Sequence, residues 1–171
     1  MTHPLRIQSV QNVLAELERV SALSRDDLKS FLQFGVPVYW ADVLHQPLNA
    51  PHPPQWCGAF ALWNLHKVGL GLELRWMFGP PNYGFCYKLE QLARPALAAE
   101  LGLPLPEPGD IAYLDKPYQH HATVVCVEGD TVVTVDGNQG PLQPIKRCEH
   151  PLSHWTAFYS IARLLEPENI A

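Results

Sequence analysis

Basic residues are scarce. The chain has 12 Lys and Arg against 17 Asp and Glu, for a net charge of -5, and the 12 nowhere cluster. That excludes the basic face on which nucleic-acid binders depend. Charged residues of both signs make up only 17% of the chain and hydrophobic ones 47%, the balance of a globular protein rather than of a disordered one. No apolar run approaches the ~20 residues that a membrane-spanning helix needs, so no membrane span is expected. The N-terminal Met1-Thr2-His3-Pro4-Leu5-Arg6 lacks the apolar h-region of a Sec-type signal peptide. The expectation is a protein made in the cytoplasm that reaches any external target by a route that reads no such signal. The four cysteines, Cys57, Cys86, Cys126 and Cys148, include no CxxC pair and are too few for a disulfide scaffold.

What is present fits one domain of 171 residues, long enough to bury a core. Residues 6–22 carry Ile7, Val10, Leu14 and Leu17 at spacings of three and four, which predicts an amphipathic helix. Ser24-Arg25-Asp26-Asp27 reads as the capped start of a second, short helix that Gly35 would stop. Five prolines between 36 and 56 argue for irregular chain up to Cys57. Ala59 to Leu65 is apolar nearly all round, the mark of a buried helix, with Gly69 and Gly71 ending it. Gly79-Pro80-Pro81-Asn82-Tyr83-Gly84 reads as a loop, and residues 88–101 as a helix broken by Pro95. From Ile111 the period changes to two, predicting strands near 111–114, 122–127, 131–135, 143–146 and 156–164. Helices first and strands second imply an α+β fold with an antiparallel sheet. Residues 1–50 read as a helical extension packed on a core of residues 51–171.

Cys57 falls at the start of the buried helix, where unpaired backbone N–H groups and the helix dipole stabilise a thiolate and can bind an oxyanion. Gln55 is a candidate second donor to that oxyanion. The hairpin that follows supplies the other groups a thiol nucleophile needs, an imidazole and a polar side chain to orient it. If Gly129-Asp130 is its two-residue loop, His121 falls opposite Asn138; if Glu128-Gly129 is the loop, opposite Asp136; a three-residue turn would put Gly137 there. His120 is one residue off and points to the other face, so His121 is the expected base, with Asp136 or Asn138 as the third member. Cys126 reads as a buried strand residue. His150 and His154 near Cys148 have a zinc-like spacing, but no second pair of ligands completes a tetrahedral site, and no metal or cofactor is expected. Tyr118 and the other scattered aromatics Trp40, Trp76 and Tyr83 read as core or as cleft lining.

Three short motifs, in order, resemble those of the CHAP superfamily, the papain-like cysteine, histidine-dependent amidohydrolases/peptidases. They are Gln55-Trp56-Cys57-Gly58-Ala59-Phe60, Pro106-Glu107-Pro108-Gly109-Asp110-Ile111-Ala112, and His121-Ala122-Thr123-Val124-Val125 with Val135-Asp136-Gly137-Asn138-Gln139. The resemblance spans about residues 50–164 and departs from the family at Thr123, where glycine is usual. It implies a papain-like α+β fold, with Cys57 as nucleophile, His121 as general base and Asp136 or Asn138 as the third group. It further implies hydrolysis of amide bonds in peptidoglycan, at the N-acetylmuramoyl-L-alanine bond or within the stem peptide and cross-bridge. The expected protein is a peptidoglycan amidase or endopeptidase, either a phage-type lysin or a bacterial toxin delivered as an effector to the periplasm. Scarcity of basic residues favours the effector, for which a neutralising immunity protein is an expected partner. Two alternatives stay open: the same triad serves a papain-like protease or deamidase toxin acting on a protein, and the fold could persist as a non-catalytic binding module.

Overall fold

The computed structural model describes residues 2–44, 55–70 and 89–166. It is an α+β structure in which helices on one side of an antiparallel sheet come first in the chain. Among the described residues no helix is long and apolar enough to cross a membrane.

Helix α1 spans Pro4–Ser21, opening with a proline and capped by the His3 side chain, which accepts from the Leu5 N–H. Its buried stripe is Arg6, Ser9, Val13 and Val20, whereas Ile7 is 46% exposed. The apolar spacing alone therefore misplaces the inward face by about one residue, because α1 turns two polar side chains into the protein. The Asn64 carboxamide donates to Ser9 Oγ (2.8 Å), and Arg6 forms a buried ion pair with Asp110 (2.7 Å). Arg6 also donates to the Pro108 carbonyl at 2.9 Å. The N-terminal helix is thus bolted to the Pro108-Gly109-Asp110 turn and shares the central core through Val13 and Val20.

Helix α2 spans Arg25–Ser30, with Ser24 accepting from the Asp27 N–H as its cap. The chain does not stop at Gly35. It passes through a π-helical turn, Phe31–Gly35, into α3, Val36–Leu44, correcting the expectation of irregular chain over that stretch. The Val36 N–H reaches back to the Phe31 carbonyl, and Pro37 follows where the change of hydrogen-bond register dispenses with a donor. Glycine suits this turn because a Cβ at Gly35 would lie 2.5 Å from Phe31 Cδ2. The expected loop at 79–84 and the Gly71 stop lie outside the described residues.

Helix α4, Cys57–Lys67, is central: every residue from Cys57 to Leu65 is buried. Phe31, Tyr39, Trp56, Phe60 and Trp63 pack ring against ring around its first turns. Strand β1, Glu90–Gln91, precedes α5, Pro95–Leu101, so Pro95 begins a helix rather than breaking one. The remaining strands are β2 (Ile111–Leu114), β3 (His120–Glu128), β4 (Thr131–Gly137), β5 (Ile145–Pro151) and β6 (Ala157–Ser160). Among the described residues the strands form one six-stranded sheet in the order β1-β6-β2-β3-β4-β5, with every pairing antiparallel. The expected last strand ends early, at Ser160, and gives way to a short 3-10 turn, Ala162–Leu165.

Alternation along the strands divides the sheet. Ile111, Val135 and Ile145 face α1 and α4, while Ala112, Leu114, Ala122, Val124 and Val132 face a smaller apolar layer completed by Leu152, Trp155 and Phe158.

Candidate active site

The β3–β4 hairpin decides which histidine meets which acid. Its turn is Gly129-Asp130, with Glu128 opposite Thr131, as one of the expected registers requires. Continued to the end of the strands, that register would set His121 opposite Asn138. A β-bulge at Val125 intervenes, and beyond it the pairs are Val124 with Thr134, Thr123 with Val135 and Ala122 with Asp136. One extra residue on β3 exchanges the faces of everything before it. Asp136 therefore shares a face with Ala122 and His120, and His121 turns to the other face.

His120 Nε2 lies 2.8 Å from Asp136 Oδ2, both side chains being buried, and the Gln139 carboxamide is 3.2 Å from the same nitrogen. The other Asp136 oxygen, Oδ1, accepts from the Thr134 hydroxyl at 2.5 Å. The Cys57 thiol also hydrogen-bonds to the His120 imidazole. With Nε2 engaged by Asp136, Nδ1 is the nitrogen left for the sulfur. Burial alone would lower the basicity of His120, but its hydrogen bonds to Asp136 and Cys57 and their electrostatic pull outweigh it and raise the imidazole to about 9.

His121 has a different environment. It is fully buried, its ring centroid is 4.9 Å from that of Tyr113, and burial, helped by the charge of His120, pushes it down to about 3. The expected partnership of His121 with Asp136 or Asn138 is thus corrected to one between His120 and Asp136.

Asn138 is exposed, with a φ of 63°, and turns the chain out of β4 so that Gln139 comes over His120. Gly137 is required by packing: a Cβ there would lie 2.8 Å from Trp56 Cζ3 and 3.0 Å from Phe60 Cβ. The close approach seats the first turn of α4, and so Cys57, on the end of β4. Gln55 is exposed two residues ahead of Cys57. Cys57 is buried, and Trp56 occupies the cap position without a side-chain hydrogen bond to the helix.

Of the other candidates, Cys126 is half-buried on β3 beside the bulge, with its thiol donating to Glu128. Cys148 is a free, buried thiol on the Asp136 face, pushed up to about 11 by burial and by the Asp136 charge. Cys86 lies outside the described residues, as do Trp76 and Tyr83. The His150 and His154 rings stack at 4.0 Å, and among the described residues no group of three or more His, Cys, Asp or Glu is placed to hold a metal. Tyr118 is 57% exposed with its ring 6.2 Å from that of His120.

No family model and no curated relative matches the chain. Among solved structures, that of Ly7917 aligns with 33% of this chain and 28% of its own length, at 20% identity and a TM-score of 0.28. An overlap that short and loose carries no argument about fold or activity.

Proposed function

We propose that the chain is a papain-like thiol hydrolase of the CHAP type that cleaves amide bonds, with Cys57 as nucleophile, His120 as general base and acid, and Asp136 as the group that orients the imidazole. The observation that carries this reading is a single buried imidazole held by a carboxylate on one nitrogen and hydrogen-bonded to the thiol of a helix-start cysteine. In the acylation step Cys57 Sγ attacks the amide carbonyl with the shared proton held on the His120 imidazole. Backbone N–H groups at the head of α4 receive the negative charge on the carbonyl oxygen. His120 returns the proton to the departing amine as the C–N bond breaks, leaving a thioester on Cys57. Water, deprotonated by His120, then attacks the thioester, releases the carboxylic acid and returns Cys57 and His120 to their starting state.

For the substrate we propose peptidoglycan, cleaved at an amide bond of or next to the stem peptide. The motif resemblance supports this choice. The low count of basic residues suits an effector delivered to the wall more than a free lysin that must adhere to it. The test is digestion of purified sacculi with wild-type protein and the Cys57→Ala, His120→Ala and His121→Phe variants, reading released muropeptides by mass spectrometry. New peptide or amine ends are expected from wild type and His121→Phe alone. No product from wild type, despite a Cys57 thiol that alkylates rapidly, would remove peptidoglycan and leave a protein substrate.

A further inference from the structure

We propose that Thr134 is a positioning residue of this site, its buried hydroxyl fixing the Asp136 carboxylate that in turn aims His120 at Cys57. The proposal rests on reading Cys57, His120 and Asp136 as the reacting set. Thr134 and Asp136 are two apart on β4 and so share a face, and neither is more than 2% exposed. The Thr134 hydroxyl takes Oδ1 at 2.5 Å while His120 takes Oδ2 at 2.8 Å. A carboxylate whose two oxygens have different partners cannot rotate about its terminal bond without losing one of them. Thr134 can serve as the fixed end because a β-branched side chain in a strand has little χ1 freedom. It also sits in the interior of the ladder, paired with Val124 on one side and Cys148 on the other.

The two partners of the orienting carboxylate, His120 on β3 and Thr134 on β4, both stand on adjacent strands and not on a loop, the arrangement that keeps a reacting group within tenths of an ångström of its place. A buried threonine hydroxyl ordinarily needs only some acceptor. Here the acceptor is the group on which the imidazole depends.

The inference is tested without a substrate, by NMR titration of the His120 imidazole. The groups that bear on that ring are Cys57 from α4, Asp136 from β4, His154 from the segment crossing the sheet, and its neighbour His121, while Lys146 and Cys148 of β5 stand opposite Asp136 and Thr134. Thr134→Val keeps the shape and removes the hydroxyl; Thr134→Ser keeps the hydroxyl and controls for packing. The wild-type midpoint is expected near 9. Thr134→Val should lower it by roughly half a pH unit or more, with Thr134→Ser close to wild type. On an amide substrate, kcat of Thr134→Val should fall roughly tenfold with KM little changed. A folded Thr134→Val protein whose His120 titrates as in wild type would overturn the positioning role. If Asp136→Asn also leaves the His120 midpoint unmoved, the reading of the site itself fails, and the positioning role with it.

Discussion

Replacing His120 by asparagine should flatten the alkaline limb of the protein's stability curve. In the fold His120 titrates at about 9, against about 6.5 for an ordinary histidine such as the unfolded chain presents. Because the folded value is the higher, the proton favours the fold. The contribution is full below about pH 6.5 and is lost as pH rises through about 9. A separation of this size is worth on the order of 3 kcal/mol, and a side chain only 7% exposed leaves little solvent to screen it. His121 works the other way. Its folded value of about 3 lies below the unfolded one, so its contribution is present above about pH 6.5 and is lost as pH falls toward 3. Two adjacent histidines on opposite faces of β3 should therefore place maximum stability near pH 6.5. Cys148, raised to about 11 from 9.0, adds a further loss only above pH 9, which leaves the interval below it to His120. Urea unfolding followed by tryptophan fluorescence at a series of pH values reads this directly. Wild type should lose on the order of 3 kcal/mol between about pH 6.5 and 9, and His120→Asn less than about a third of that. Equal slopes in the two proteins would refute the reasoning.

Three further outcomes follow from the same contacts. Arg6→Met strands the buried Asp110 carboxylate, which Arg6 holds at 2.7 Å; it should cost about 3–5 kcal/mol, seen as a Tm lower by roughly 6–20 °C in calorimetry. Gly137→Ala puts a methyl group 2.8 Å from Trp56 Cζ3; it should cost about 1–3 kcal/mol in urea unfolding and, by displacing the head of α4, slow alkylation of Cys57 severalfold. Asn138→Gly relieves a left-handed residue with a φ of 63°; stability should change by less than about 1 kcal/mol and alkylation of Cys57 by less than about twofold, unlike any change at Asp136.

Much of this arrangement was legible in the chain. Helix α4 was readable because a run that is apolar on every side has only one stable place, the centre of the core, and Gly69, with a φ of 79°, ends it in a conformation that suits glycine. The hairpin was readable because runs rich in β-branched residues flank Gly129-Asp130. The choice between His120 and His121 was not, since it depends on one bulge. Nothing in Thr123-Val124-Val125-Cys126 marks Val125 as the extra residue, yet that residue exchanges the faces of His120 and His121. Helix α3 escaped for a related reason: proline density argues against a helix, but the π turn at Phe31–Gly35 lets Pro37 enter one. The inward face of α1 was misplaced because apolar periodicity cannot register Arg6 and Ser9 as buried residues. Their partners, Asp110 and Asn64, are brought to them only by the tertiary fold.

The most direct test of the central claim is the rate at which iodoacetamide alkylates Cys57 at neutral pH in wild type, His120→Ala and His121→Phe, with the modified residue identified by peptide mass spectrometry. A thiol served by His120 should react well faster than Cys57 in the urea-unfolded chain, lose that advantage in His120→Ala and keep it in His121→Phe. A Cys57 that reacts no faster in the fold than unfolded, or one that loses its advantage with His121 and not with His120, would contradict the account.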